Sequence, residues 1–432
     1  MIAANIGRKF LKAFNTKYNT HYKAKEFFIE KYLPVFFDHP KYMMTGGNSP
    51  LENPKIQWKS GKYPNQEERK SRISKTIAKI ETSQPDASIA IGYPSLDLIA
   101  TTSGQITNLS LPLNEDDVYY SWIGSGLGVG VQGALCVLFE DEDILLDLYD
   151  GWNIYRSFLN NLPQLRGNQI NTWNGQWLAH RYDNLSYYPE DPTANLNPFE
   201  VKDGIMEIKT QSWVIILARL ARQLNNPQLM GYVYNLGQTN TTLGFIPFLL
   251  PKIRKPFELY KKIFGESDYT ERYKQLETLF GTAHGFTKIC QLGVIGIEAL
   301  EPKGLKEMVL NAKTPTNYED KTKELTYNIY QIWILAMLNN DTLWNHAQQI
   351  ALDFHFYASG AENAKKDRSN NLKILLASMN KKQFIENLIP IVEETVEKGK
   401  FEEIAKLINV MPSDNVPYFL TLIRFQFAVQ NK

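Results

Sequence analysis

Apolar positions recur at a helical period over residues 5–37. Phe10, Leu11, Phe14 and Tyr18, then Phe27, Phe28 and Tyr32, are spaced with basic residues between them, which predicts two short helices. Thr45 to Asn65 is dense in Gly, Pro and Asn, the chemistry of loop or hairpin. Glu67 to Ile80 returns to the helical period, with Ile73, Ile77 and Ile80 as its apolar stripe and a basic opposite face.

Between Ser88 and Tyr155 the pattern shortens to runs rich in β-formers: SIAIGYPSLDLIATT, QITNLSL, VYYSWI, ALCVLF and ILLDLY. Turn residues, or the acids Glu140 to Asp143, separate them, so a mostly antiparallel sheet is predicted, with the acids at a solvated hairpin tip. Gly167 to Asp203 reads as mixed loops rich in Asn, Tyr and Trp. From Gly204 the pattern is predominantly helical, with a loop-like middle at Asn235 to Pro251. Six periodic segments close the chain: Lys321–Asn339, Leu343–Ser359, Asn371–Met379, Lys381–Gly399, Phe401–Val410 and Val416–Gln430. The predicted class is α+β: an N-terminal mixed α/β domain with a mostly antiparallel sheet (1–203), a helical connecting region (204–318) and a C-terminal α-helical bundle (319–432).

Composition narrows the function classes. With 432 residues, 43% hydrophobic and 22% charged, the chain has globular composition and length for two or three cores. Its two cysteines, Cys136 and Cys290, exclude a disulfide framework and a zinc site of paired C-x-x-C ligands, and a reduced, cytoplasmic setting is expected. The start is basic and amphipathic, and no run approaches 18 apolar residues, so neither secretion nor a membrane span is expected. The net charge of +1 hides an asymmetry: residues 1–84 carry 16 Lys and Arg against 7 Asp and Glu, and residues 85–200 carry 3 against 15. Either a polyanion-facing surface adjoins one that faces something basic, or the two segments pack on each other.

Gly128-Val-Gly130-Val-Gln-Gly133 matches G-x-G-x-x-G, but a dinucleotide site needs a helix opening at the last glycine, and ALCVLF reads as a strand. Glycines there also suit a backbone-donor loop approaching a partner or nucleic acid. The acids at 140–143, with Asp147 and Asp150, lack the convergence of a two-metal centre, and His346 and His355, nine apart, read as surface or core residues. G-x-S-x-G, H-E-x-x-H and the P-loop motif are absent; no catalytic residue, metal or cofactor is implied.

The stronger signal is basic residues interleaved with polar and aromatic ones: Lys55, Gln57, Trp58, Lys59, Lys62 and Tyr63, followed by Arg69, Lys70, Arg72, Lys75 and Lys79 on one short helix. This is the composition of a phosphate-tracking surface with groups for base edges or stacking. A second run is Lys252, Arg254, Lys255, Lys261 and Lys262. A third is Lys365, Lys366, Arg368, Lys373, Lys381 and Lys382.

One stretch carries a family likeness. Gly128 to Asn160, GVGVQGALCVLFEDEDILLDLYDGWNIYRSFLN, resembles a segment of the large subunit of type I CRISPR Cascade complexes, most like the type I-B and cyanobacterial-type forms. In that family a glycine-containing apolar run leads to a short strand, an acidic turn and a helix ending in an aromatic-leucine pair, here Phe158-Leu159. Ile91 to Asp97 resembles the family's small-residue, aromatic, proline, Asp pattern, and the Ala351 to Ile391 helices resemble its C-terminal bundle. Many relatives carry cysteine pairs in the N-terminal half; this chain does not.

The resemblance implies a non-enzymatic role in DNA surveillance, in a defence complex or in a CRISPR-associated transposon. The large subunit sits beside the CRISPR RNA (crRNA) handle, reads a short protospacer-adjacent motif in duplex target DNA, helps open the duplex and docks a helicase–nuclease or transposition proteins, while guide pairing supplies sequence specificity. Partner subunits would be the backbone repeat, the handle-binding subunit and small subunits. Composition then assigns Lys55, Gln57, Lys59, Lys62, Arg69, Lys70 and Arg72 to the duplex, Asn108, Gly126 and Gly128 to minor-groove or wedge contacts, and Lys365, Lys366, Arg368 and Lys373 to the displaced strand. Two other classes stand beside it: a helical adaptor, and a nucleotide-dependent enzyme using the Gly124 to Gly133 loop.

Overall fold

The computed structural model describes residues 1–430 except 47–48, 53–62, 84–88, 91–113, 237–241 and 360–364. The chain forms two compact units, one of residues 1–250 with 286–294 and one of residues 251–285 with 295–432.

In the first unit, α1 (Ile2–Tyr18) precedes α2 (Ala24–Phe27), a π turn (Phe28–Tyr32) and α3 (Leu33–Phe36). Phe10 and Phe14 of α1 meet Phe27 edge-on at 5.5 and 5.0 Å between ring centroids. The helix α4 (Gln66–Thr82) begins with a capping box: the Asn65 side chain accepts from Glu68 N, and the Glu68 carboxylate accepts from Asn65 N. Only Thr76 and Ile80 of α4 are buried, so its expected stripe is half-covered.

Two runs expected as strands are helices. VYYSWI lies in α5 (Glu115–Gly126), where the Asn114 side chain caps and Glu115, Asp116 and Asp117 occupy the first turn, favourably placed on the helix dipole. Burial of Tyr119, Trp122 and Ile123 in the unit's core outweighs their local preference for extended backbone. A hairpin follows, β1 (Val129–Val131) and β2 (Leu135–Phe139), turning through Gly133 and Ala134 at positive φ. ILLDLY then lies in α6 (Glu142–Asn161). The acids are its start rather than a hairpin tip: the Asp141 side chain accepts from Asp143 N and Ile144 N, each at 3.1 Å. Ile144, Leu148, Trp152, Tyr155 and Leu159 form its buried stripe.

The stretch expected as mixed loops holds α7 (Ile170–Arg181), whose Trp173 stacks on Tyr155 at 5.5 Å, and β3 (Phe199–Lys202), which pairs with β4 (Ile205–Ile208). Beyond α8 (Trp213–Gln223) come β5 (Leu229–Asn235) and β6 (Thr242–Phe248), in a region expected to be helix and loop. They complete an antiparallel sheet of order β1-β2-β5-β6, with Val137 opposite Val233 and Tyr232 opposite Phe245. Pro247, read as a breaker, is accommodated because β6 is an edge strand.

Next come α9 (Leu250–Phe264), α10 (Glu266–Leu279) and α11 (Phe286–Cys290), then α12 (Leu305–Leu310), α13 (Lys321–Leu338), α14 (Leu343–Ser359), α15 (Lys365–Leu376), α16 (Lys381–Glu394), α17 (Lys398–Val410) and α18 (Val416–Gln430). Of the last six, α13, α14 and α18 match the expected segments closely, whereas α15 starts six residues before the expected Asn371 and α16 ends at Glu394 rather than Gly399. α18 packs on α13 and α14, and its fully buried Arg424 donates to Leu376 O (3.0 Å), Ser378 O (3.3 Å) and Thr421 Oγ1 (2.6 Å). Arg424 thereby caps the C-terminal carbonyls of α15, and burial lowers its pKa to about 10.

Candidate nucleic-acid interface

Apart from the exposed Lys12, the cations of α1 and α2 face carboxylates of the same unit. Arg8 pairs with Asp117, Lys9 with Glu140 at 3.4 Å, and Lys17 with Asp150 at 3.5 Å. Lys25 meets Glu81 at 2.6 Å and Glu115 at 3.7 Å. The charge asymmetry is therefore partly spent inside the unit, because α1 packs along α5 and against α6.

On α4 the cations divide. Arg69 Nε lies 3.3 Å from Asp38 and its Nη1 donates to Pro64 O at 3.0 Å, while Arg72 Nη1 donates to Glu52 O at 3.2 Å. Both arginines hold loops, whereas Lys70 and Lys75 are exposed and form no ion pair among the described residues. Lys55, Gln57, Lys59, Lys62 and Asn108 lie outside the described residues.

The chain leading toward residues 53–62 is firmly anchored. Lys41 Nζ donates to Leu165 O (2.8 Å), Leu162 O (3.4 Å) and Pro163 O, and Asn168 N and Ile170 N donate to Tyr42 O and Met43 O. His39 Nδ1 accepts from Lys41 N at 2.9 Å. Burial, aided by the cations Arg156, Lys41 and Arg69, lowers the His39 pKa to about 4.

Gly126 and Gly128, expected at minor-groove or wedge contacts, are buried instead. The Gly126 carbonyl accepts from Trp152 Nε1 (3.2 Å) and Asn174 Nδ2 (2.8 Å), and the Gly128 carbonyl from Asn171 (3.0 Å) and Asn174 (2.9 Å). A Cβ on Gly128 would stand 2.6 Å from Cys136 Sγ. Their missing side chains serve close packing. Nor does the G-x-G-x-x-G motif form a phosphate cradle: Gly133 turns into strand β2, not into a helix.

In the second basic run, Lys255 and Lys262 share Asp341 at 2.9 and 3.2 Å, Arg254 pairs with Glu258 at 3.0 Å, and Lys261 pairs with Glu266. Hydrogen bonding from Lys255 leads the effects that hold the Asp341 carboxyl below its ordinary pKa. The third run is more open. Lys365 begins α15; Lys366 and Lys373, seven residues apart and so two turns along one face, are exposed with no ion pair among the described residues. Arg368 instead lies 5.2 Å from the Tyr357 ring centroid and reaches Tyr357 O and Glu394 O at 3.5 Å. It serves the bundle's packing.

A groove of about 550 Å³ that sequence reasoning passed over runs along the outer face of α1. This open groove is lined by Arg8, Lys12, Asn15, Thr16 and Asn19 of α1, by the turn Thr20 to Tyr22 and by Tyr120 of α5. Its signal was available as a polar stripe at helical spacing opposite Phe10 and Phe14. Among the described residues no cluster of three His, Cys, Asp or Glu could hold a metal. Compared with protein-family models, curated proteins and solved structures, the chain matches none.

Proposed function

We propose that this chain is a non-catalytic large subunit of an RNA-guided DNA surveillance complex. It reads a short flanking motif in duplex DNA, helps open the target, and docks the downstream helicase–nuclease or transposition proteins. The observation that carries this reading is exposed charge on α4 and α15. Most α1 and α2 cations are neutralised by neighbouring carboxylates, while Lys70 and Lys75 on α4 and Lys366 and Lys373 on α15 stay exposed and unpaired among the described residues. Such cations suit phosphate contacts that position nucleic acid without reading its sequence. The resemblance of Gly128 to Asn160 to the Cascade large subunit supplies the biological setting.

The test is co-expression with a crRNA and the neighbouring gene products, then gel-shift titration of target duplexes that differ only beside the guide-matched segment. The expected result is co-purification and binding that needs both guide complementarity and one class of flank. A chain that purifies alone and ignores both favours the helical adaptor, a reading that the extensive internal pairing of cations on α1, α2 and α9 supports.

A further inference from the structure

We infer that the groove along α1 is a nucleotide-binding site, separate from the exposed lysines of α4 and α15. Its volume of about 550 Å³ accommodates a base, sugar and phosphate. No carboxylate lines it; Arg8, Lys12 and His21 do. The other groove bordering α1, of about 440 Å³, has the opposite character, lined by Glu142, Asp143 and Asp147 against Lys17 and Arg181. An anion is thus admitted beside Lys12 and repelled at the second groove. Arg8 is committed to Asp117, so Lys12, exposed and without an ion pair among the described residues, is the cation available to a phosphate, with His21 beside the same cleft.

The turn that borders the groove is held by its own hydrogen bonds. Asn19 ends α1 in the left-handed conformation at φ 51°. The Asn15 carboxamide accepts from Thr20 Oγ1 (2.8 Å) and Tyr22 N (3.0 Å) and donates to Tyr22 O (2.9 Å). One side chain therefore makes three hydrogen bonds to two residues of the turn, Thr20 and Tyr22, on either side of His21. Tyr22 is backed edge-on by Phe27 at 6.0 Å, and Tyr120 has the Arg8 guanidinium 5.2 Å from its ring centroid. These half-buried tyrosines, each with a cation over its ring (Arg8 on Tyr120, Lys31 on Tyr22 at 5.6 Å), give the groove an aromatic border for a base, and Thr16 and Asn19 offer hydrogen-bonding groups for its edge.

The nucleotide can be free or one unit of a single strand, and the test separates the two. The full chain is titrated by fluorescence polarisation with a labelled mixed-sequence DNA hexanucleotide, with adenosine 5′-monophosphate and inorganic phosphate as competitors. Direct calorimetric titration with the monophosphate accompanies it. Binding of either nucleotide probe is expected to weaken about tenfold in Lys12→Glu, with an unchanged thermal melt, and to persist in the Lys366→Glu/Lys373→Glu double variant. Asn15→Ala is expected to weaken it without removing a group that meets the phosphate. Monophosphate binding that displaces the hexanucleotide assigns a free nucleotide; binding of the hexanucleotide alone assigns a strand. The inference is overturned if neither probe binds, if Lys12→Glu binds as the wild type, or if phosphate competes as well as the monophosphate. The assay needs no guide or partner subunit, so it fails or succeeds independently of the surveillance reading.

Discussion

Helices α1 and α15 carry similar densities of basic residues and come to different ends. On α1, Arg8, Lys9 and Lys17 each find a carboxylate on α5, on α6 or at the start of α6. On α15, Arg368 is drawn into packing while Lys366 and Lys373 face solvent unpaired among the described residues. The difference is not in the cations but in their neighbours: Asp117 in the first turn of α5, Glu140 just before α6 and Asp150 within α6 all lie against α1. A count of positive charge thus says little about a polyanion surface until the crossing helices are known. The pairs add little stability, since exposed ion pairs contribute about 0–1 kcal/mol each, but they cancel the field that would attract phosphate.

The comparison breaks most completely where α1 meets α5. Gly7 and Gly124 let the two backbones touch; a Cβ on Gly7 would overlap the Tyr120 carbonyl, and one on Gly124 the Ala3 carbonyl. Gly124→Val is expected to cost about 3 kcal/mol or more, read as a lower denaturation midpoint. Next, Lys366→Glu/Lys373→Glu should lower the target-duplex affinity of the assembled complex about tenfold at constant salt, while Lys9→Glu/Lys17→Glu changes it less than twofold, both measured by gel shift.

A smaller effect concerns His39, whose ring accepts from Lys41 N. Its pKa falls from an ordinary 6.5 to about 4 in the folded chain, so the fold favours the neutral ring. Its contribution is present above pH 6.5 and is lost as pH falls through about 4. Denaturation at pH 7 and pH 5 should show His39→Gln losing less stability on acidification than the wild type. Smallest is the Arg8–Asp117 pair: with Arg8 50% exposed, a double-mutant cycle to Met and Asn should give a coupling of about 1 kcal/mol or less.

The helical unit was legible because α13 to α18 bury apolar residues at a period that local sequence displays. The first unit was harder to read for identifiable reasons. VYYSWI and ILLDLY are short apolar runs whose type periodicity alone does not decide. Their capping residues, Asn114 and Asp141, were the discriminating signal. β5 and β6 owe their existence to pairing with β2 and with each other, the former across some ninety residues of chain, which no local window contains. The same applies to the candidate interface: Lys70, Lys366 and Lys373 stayed exposed, but Arg69, Arg72 and Arg368 were claimed by loops and helices distant in sequence, and Gly126 and Gly128 by packing.

Salt dependence tests the account most directly. The logarithm of the duplex affinity of the assembled complex is measured against the logarithm of salt concentration, for the wild type and for Lys366→Glu/Lys373→Glu. Loss of two phosphate contacts should make the slope shallower by about 1.5 to 2. An unchanged slope and affinity would mean that these lysines touch no phosphate, and would contradict the claim that unpaired cations mark the nucleic-acid surface.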